Sequence, residues 1–112
     1  MASTIKNLYS GQAVTATTAT IYTAPAAAGS SVVVKSLIAV NTHASSAVTL
    51  NLFYAPNSTA SPTRIIPKDL SLAVSNSMVF TPMLTLGPSD KINGYASVSG
   101  CMDITISGVE IS

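Results

Sequence analysis

Residues 31–54 carry the most regular alternation of apolar and other side chains in the sequence. A period of two puts successive side chains on opposite faces of an extended strand, and β-branched and aromatic residues favour strands. In the first half one face collects Val32, Val34, Ile38 and Val40, and the other collects Val33, Leu37 and Ala39. In the second half Val48, Leu50, Leu52 and Tyr54 alternate with Thr49, Asn51 and Phe53. The pattern predicts two strands joined as a hairpin by the small, polar turn around His43.

The rest of the chain repeats shorter segments of this kind, separated by turns that contain glycine or proline. We predict strands within residues 12–23, 77–86, 92–98 and 102–111, and an edge-like segment at 64–67. Residues 68–72 fit either one helical turn or an extended bend. Gly29 and Gly87 mark turns. The fold class is therefore all-β, a single antiparallel β-sandwich of about seven to nine strands, with jelly-roll and immunoglobulin-like topologies both open.

The last predicted strand changes phase near Gly108. Met102, Ile104 and Ile106 share one face, whereas Val109 and Ile111 fall one position out of step. An extra residue in the strand at Ser107–Gly108, a β-bulge, would return both sets to the same core. Gly108 is accordingly predicted to be a structural position.

The N-terminal residues differ from the remainder of the chain. Residues 1–11 contain Ile5, Leu8 and Tyr9 without clean alternation, which indicates an arm or an edge segment. Such a segment adds to a sheet edge or lies on a partner. We divide the chain into this segment and a β-sandwich domain at residues 12–112.

One face of the predicted hairpin carries more apolar side chains than a solvent-exposed face normally does. Val33 and Leu37 lie on it, with Phe53 on the second strand, so this face needs a cover from the second sheet or from an adjacent subunit. We therefore assign an interface to Ile5, Leu8, Tyr9, Val33, Leu37, Phe53 and Arg64.

Charge is scarce along the sequence. Only 8% of residues are charged, against roughly a quarter in ordinary soluble domains, and the net charge is +1. A surface of serine, threonine and alanine suits a protein packed against other subunits, since free monomers usually depend on charge for solubility. With no cluster of lysines and arginines, nucleic-acid binding is not expected. The apolar runs are far shorter than a membrane span, and the N-terminus lacks the apolar core of a signal peptide.

The sequence offers little chemistry. It has one histidine, His43, one cysteine, Cys101, and four carboxylates, so we expect no enzyme activity, no metal and no cofactor. Asp90 and Asp103 are candidates to pair for acid–base work, but each is expected instead to cap a turn, since aspartate bonds its own backbone there. A carbohydrate-binding adhesion module remains an alternative, because such sites use exposed aromatic rings and Tyr95 is a candidate.

Several stretches resemble small β-sandwich proteins of tailed-bacteriophage virions. They are IYTAP at 21–25, VVVKSLIAVNT at 32–42, SSAVTLNLFYAP at 45–56, RIIPKDLSLA at 64–73, LTLGPSDKINGYAS at 84–97 and ITISGVEI at 104–111. In that family a segment ending in NT precedes AVTL, and an L-x-P-x-D-x-I turn precedes a C-terminal SG-V-E. The likeness spans about residues 22–112.

This resemblance implies a virion structural protein made in the cytoplasm of a bacterial host. The expected role is capsid decoration, or cement, in which a homo-oligomer, with a trimer favoured, binds the major capsid protein on the outside of the head. The alternative within the same class is a neck or tail ring, or a tail accessory protein.

Overall fold

The computed structural model of the protein describes residues 3–12, 19–57, 61–98 and 100–111. These residues form ten strands. The strands are β1 (Ser3–Gln12), β2 (Ala19–Thr23), β3 (Ser31–Asn41), β4 (Val48–Ala55), β5 (Thr63–Arg64), β6 (Leu70–Leu72), β7 (Ser77–Phe80), β8 (Leu84–Leu86), β9 (Lys91–Ala96) and β10 (Met102–Ile111). Residues 68–72, for which a helical turn was one expectation, end in the short strand β6.

All strand pairs are antiparallel, and they build two sheets. Sheet A has the order β1-β10-β3-β7, with β8 also paired to β3. Sheet B has the order β2-β9-β4-β5, with β6 also paired to β4. Their facing sides form one apolar core, which includes Val32, Val34, Leu37, Leu50, Leu52, Leu86, Ile92, Met102, Ile104 and Ile106. The predicted antiparallel β-sandwich is confirmed.

The strand order identifies the topology as a jelly roll. β5 and β6 share one edge position beside β4, and β7 and β8 share one beside β3. If each pair is counted as one interrupted strand, eight positions remain, ordered 1-8-3-6 in sheet A and 2-7-4-5 in sheet B. Two four-stranded sheets that exchange the chain in this way form the double Greek key of a jelly roll.

The predicted hairpin at residues 31–54 is wrong. Its two strands exist, but β3 lies in sheet A and β4 in sheet B, so the connection crosses from one sheet to the other. The side chain of Asn41, 2% exposed, holds this crossing. Its Nδ2 lies 3.1 Å from the carbonyl oxygen of Ser46, 2.9 Å from that of Leu72 and 3.2 Å from that of Ala73. Its Oδ1 accepts the backbone N–H of His43 at 2.8 Å.

The prediction of which β3 side chains share a face is correct only for the first half of the strand. Val32 and Val34 point into the core, but from there the buried set is Leu37, Ala39 and Asn41. The phase changes because Ser36 pairs with Ser107 and Val34 with Gly108, which leaves Lys35 as an extra residue. Leu37, assigned to an interface from the sequence, is 1% exposed and belongs to the core. Ile38 and Val40 take the outward side instead.

The bulge near Gly108 is real, but the extra residues lie in the neighbouring strands. On β3 the extra residue is Lys35, and on β1 it is Leu8, because Asn7 pairs with Ser107 and Tyr9 with Ile106. β10 itself alternates without interruption, so Val109 stays on the outer face and does not return to the core. Gly108 is buried, and a Cβ there would come against the carbonyl oxygen of Val33 and within 3.2 Å of Leu8 Cδ1.

The strand predicted at residues 77–86 is interrupted at Pro82. β7 and β8 both pair with β3, and residues 81–83 between them do not. Met83 adopts a φ of 50°, a left-handed conformation that breaks the extended path. Proline is confined to sheet edges since it donates no ladder hydrogen bond, which agrees with the edge position of these two strands.

Candidate interaction surfaces

Asp90, a candidate for acid–base work, acts as a connector of loops. Its Oδ2 accepts the backbone N–H of Gly87 at 2.9 Å and the hydroxyl of Tyr54 at 2.9 Å, and its Oδ1 accepts the backbone N–H of Asn57 at 2.8 Å. The bond from Asn57 is the main cause that lowers the pKa of Asp90, and the bond to Asp90 raises the pKa of Tyr54. Asp90 caps its turn, as expected, whereas Asp103 lies within β10.

His43 and Cys101 are also occupied structurally. The Nδ1 atom of His43 accepts the backbone N–H groups of Ser45 at 3.1 Å and Ser46 at 3.0 Å, which shapes the crossing between the sheets. Cys101 is partly buried against the core. In the described part of the chain, no three His, Cys, Asp or Glu side chains are grouped as metal ligands.

The outer face of sheet A carries a row of side chains that crosses four strands. Ile5 of β1 pairs with Val109 of β10, Val109 pairs with Val33 of β3, and Val33 pairs with Thr85 of β8. Directly paired residues point to the same side of a sheet, so these four, the outer row, form one stripe. Ile5 is 87% exposed.

A second apolar contact lies on the same face, nearer the other edge. Ile38 pairs with Val79 of β7, and Val79 is 62% exposed. Met83, beyond the break at Pro82, is 57% exposed. Exposed apolar groups that are continuous across a sheet mark an interaction surface more often than scattered ones do.

The outer face of sheet B is of a different kind, built from aromatic, amide and charged groups. Phe53 of β4 pairs with Arg64 of β5, and the guanidinium carbon of Arg64 lies 4.8 Å from the centre of the Phe53 ring. On its other side Phe53 stacks with Tyr95 of β9, with ring centres 6.2 Å apart and planes inclined by 23°. We call these three residues the Arg64 stack.

A buried amide anchors the Arg64 stack. Asn51 is fully buried although it stands on the outer side of β4. Its Oδ1 accepts Nη1 of Arg64 at 2.7 Å and the backbone N–H of Asp69 at 3.0 Å, and its Nδ2 donates to Oδ1 of Asp69 at 3.0 Å. Asp69 has a φ of 53°, so the amide also fixes a left-handed turn. Buried polar groups are retained where their hydrogen bonds are satisfied, as these are.

This geometry weakens the case for a sugar site on sheet B. A sugar stacks on the open face of an aromatic ring. Arg64 lies over the ring of Phe53, and the same ring also stacks with Tyr95. Tyr95 is itself half-buried.

The structure does not bring the residues assigned to an interface together in one place. Ile5 and Val33 lie in the outer row, and Phe53 and Arg64 meet in the Arg64 stack. Leu8 packs against the core, and Leu37 belongs to it. Tyr9 lies in β1 opposite Ile106. Sequence reasoning missed Ile38, which the extra residue Lys35 in β3 turns outward. It also missed Val109, for which it expected a bulge within β10 that β10 does not contain, and it gave no role to Val79, which pairs with Ile38.

The structural turn residues lie as follows. Gly29 has a φ of 82°, which suits glycine, and no atom lies within 4 Å of a Cβ built there. Gly87 donates to Asp90 at the turn before β9.

Among the described residues no helix is long and apolar enough to span a membrane.

No family model and no curated protein sequence matches the chain. Among solved structures, the NLP core of Drosophila, reported for pentamer formation and histone binding, aligns over 100% of both chains with a TM-score of 0.52 and 13% identity. The cyanophage Pam1 capsid aligns over 97% of this chain and 79% of its own, with a TM-score of 0.41 and 17% identity. The Gx strain of infectious bursal disease virus aligns over 96% of this chain and 28% of its own, with a TM-score of 0.42 and 13% identity.

The likeness to the NLP core shows a shared fold. At 13% identity it does not extend to activity or partners.

Proposed function

We propose that this protein is a virion structural protein that decorates the outside of a bacteriophage head as a homo-oligomer bound to the major capsid protein. The observation that carries the proposal is the set of apolar side chains on the outer face of sheet A, which are Ile5, Val33 and Val109 of the outer row together with Ile38 and Val79. This face occurs in a chain with few charges and with its histidine and turn carboxylate already engaged.

Energetics favour covering this face. Burying a fully exposed isoleucine or valine side chain gains about 1.5–3 kcal/mol, and Ile5 and Val79 are largely exposed. Ile5 and Val79 lie toward opposite edges of sheet A, so heterologous contacts between neighbouring subunits around a rotation axis can cover both and close a ring such as a trimer. A decoration protein then adds many contacts of moderate strength over a large particle.

The virion assignment rests on the resemblance of residues 22–112 to tailed-phage proteins and is compatible with the fold. Jelly rolls build both viral capsid and lectin domains, so the fold alone does not choose between them. The NLP core is reported for pentamer formation, which supports self-association of a chain with this fold. Histone binding is not extended here, since histones are basic and this chain has only four acidic residues.

Sedimentation of the purified protein tests self-association through sheet A. The wild type is expected as a closed oligomer, a trimer in our proposal. Ile5→Lys and Val79→Lys should give monomers, because each puts a charge into the proposed contact at a position that is exposed in the single chain. Thr23→Lys adds the same charge at an exposed position in sheet B and should leave the oligomer unchanged. A wild type that stays monomeric at high concentration contradicts the proposed interface.

Copy number in purified virions tests the placement. Quantitative mass spectrometry against the major capsid protein should find hundreds of copies per particle. A dozen or fewer would favour a neck or tail ring, and absence from the particle would overturn the virion assignment.

A further inference from the structure

Arg64 is the only arginine in the sequence, and its guanidinium is held in place before any partner arrives. Its Cζ lies over the ring of Phe53, 4.8 Å from the ring centre, and its Nη1 donates to the Oδ1 of Asn51 at 2.7 Å. Arginine normally loses side-chain entropy when it binds, so a guanidinium that is already fixed loses less. The residue as a whole remains exposed in the two-residue edge strand β5.

The support beneath Arg64 is rigid. Asn51 stands in the middle of β4, fully buried, and is tied on its other side to Asp69. Tyr95 backs the Phe53 ring from the neighbouring strand β9. Side chains locked in this way on regular strands position a binding group more accurately than a loop does.

The charge of Arg64 is not cancelled by its hydrogen bond, because the acceptor is a neutral amide oxygen. Lys68 is exposed in the loop that follows, and Lys91 stands on the outer side of β9 beside Ala55. Three of the five cations of the chain are therefore in this part of sheet B or in its adjoining loop, and Asp69 and Asp90 are the acids in the same region. This balance favours an anionic partner surface.

The chemistry of the site favours a carboxylate on a protein. A planar fork of N–H donors matches a carboxylate with two parallel hydrogen bonds. Nucleic acid would need a longer track of cations than one arginine and two lysines. Arginine and tyrosine together are also typical of the centres of protein–protein interfaces.

We propose that the Arg64 stack is a docking site for an acidic segment of a partner protein, with Arg64 receiving an Asp or Glu carboxylate. This deepens the proposed function and rests on it for the partner's identity, which would be the capsid surface. The outer face of sheet A would then contact other subunits of the same protein, and the outer face of sheet B would contact the capsid surface.

Titration of ¹⁵N-labelled protein with a capped hexaglutamate peptide at low salt tests the site without the virion. Because the chain has one arginine, its side-chain Nε–Hε signal belongs to Arg64 without ambiguity. We expect a saturable shift of this signal and of the backbone amides of β4 and β5. The affinity should fall by about tenfold or more in Arg64→Lys, which keeps the charge but loses the fork and the stacking geometry.

Three further variants distinguish the contribution of the Arg64 guanidinium donors from the contribution of net charge around the site. Phe53→Leu leaves the charge unchanged and should weaken binding several-fold, because Arg64 loses its platform. Asp69→Asn keeps the left-handed turn, removes a nearby acid and should strengthen binding. Lys68→Ala removes an exposed cation of the adjoining loop and should weaken binding less than Arg64→Lys does, because Lys68 contributes charge but no fork of donors. Thermal melts establish that each variant is folded.

No saturable shift in the wild type, or equal affinity in the wild type and Arg64→Lys, would overturn the docking site. Neither result bears on sedimentation or copy number, so the docking site and the proposed function fail separately.

Discussion

Asn41 is predicted to be the residue whose loss most directly breaks the crossing between the two sheets. Its amide group is buried and lies within hydrogen-bond distance of the carbonyl oxygens of Ser46, Leu72 and Ala73. Its Oδ1 holds the backbone N–H of His43. A single side chain thus joins the end of β3, the crossing loop and the end of β6.

Asn41→Ala removes both amide hydrogens and the acceptor for His43. Each net hydrogen bond is worth about 1 kcal/mol, and a buried carbonyl left without a donor costs about 1–3 kcal/mol more. We expect a loss of about 3 kcal/mol in the free energy of unfolding, since the carbonyl of Leu72 is buried and the others are partly open to water. For a domain of this size that is a fall of roughly 10–15 °C in melting temperature.

The assay is thermal and urea unfolding followed by far-ultraviolet circular dichroism, because the chain has no tryptophan to report by fluorescence. Asn76→Ala is the matched control, since Asn76 is an exposed asparagine whose backbone carbonyl pairs with the N–H of Asn41. An exposed substitution of this kind should change stability by less than about 0.5 kcal/mol.

Asn41→Asp tests whether the N–H donors of the Asn41 amide, as opposed to the size of the side chain, stabilise the crossing between the sheets. Aspartate has nearly the same volume and keeps an acceptor for His43, but at pH 7 it turns a carboxylate toward three carbonyl oxygens. We expect it to be at least as destabilising as alanine at pH 7. The difference in unfolding free energy between the aspartate variant and the wild type should become smaller toward pH 4, where protonation of the new carboxylate supplies one O–H donor. An aspartate variant as stable as the wild type at pH 7 would refute the role of the amide as donor.

Three other predictions follow from named contacts. Gly108→Ala should destabilise by more than the ~1 kcal/mol span of strand propensity, because the new Cβ meets the carbonyl of Val33; unchanged melting would contradict the close approach. Asp90 has a pKa below its ordinary value of 3.8, so its stabilisation is present above about pH 4 and is lost as pH falls through the lowered pKa. Asp90→Asn should thus be less stable than the wild type at pH 7 in urea titrations, with the difference vanishing in acid; a constant difference would argue against the charge. Leu37→Lys should unfold the protein, as shown by circular dichroism, since Leu37 is 1% exposed; a folded variant would remove it from the core.

Much of the fold was predictable from local pattern. Alternation in β4 correctly placed Leu50 and Leu52 inward and Phe53 outward, because side-chain direction follows from backbone geometry with a period of two. Gly29 correctly indicated a turn, because access to a positive φ is an intrinsic property of glycine. Of the candidate surfaces, Ile5 and Val33 were found by their apolar character alone.

The sequence by itself determined that this protein is all-β, where most strands lie and how sparsely it is charged, since these depend on residue type and near neighbours. Only the tertiary structure decided that β3 and β4 belong to different sheets, that Lys35 and Leu8 are the extra residues beside Gly108, and that Arg64 stacks on Phe53. The physical reason is that strand pairing is made between distant segments. A period of two says which way a side chain points relative to its neighbours, but pairing decides which side of the sheet faces the core.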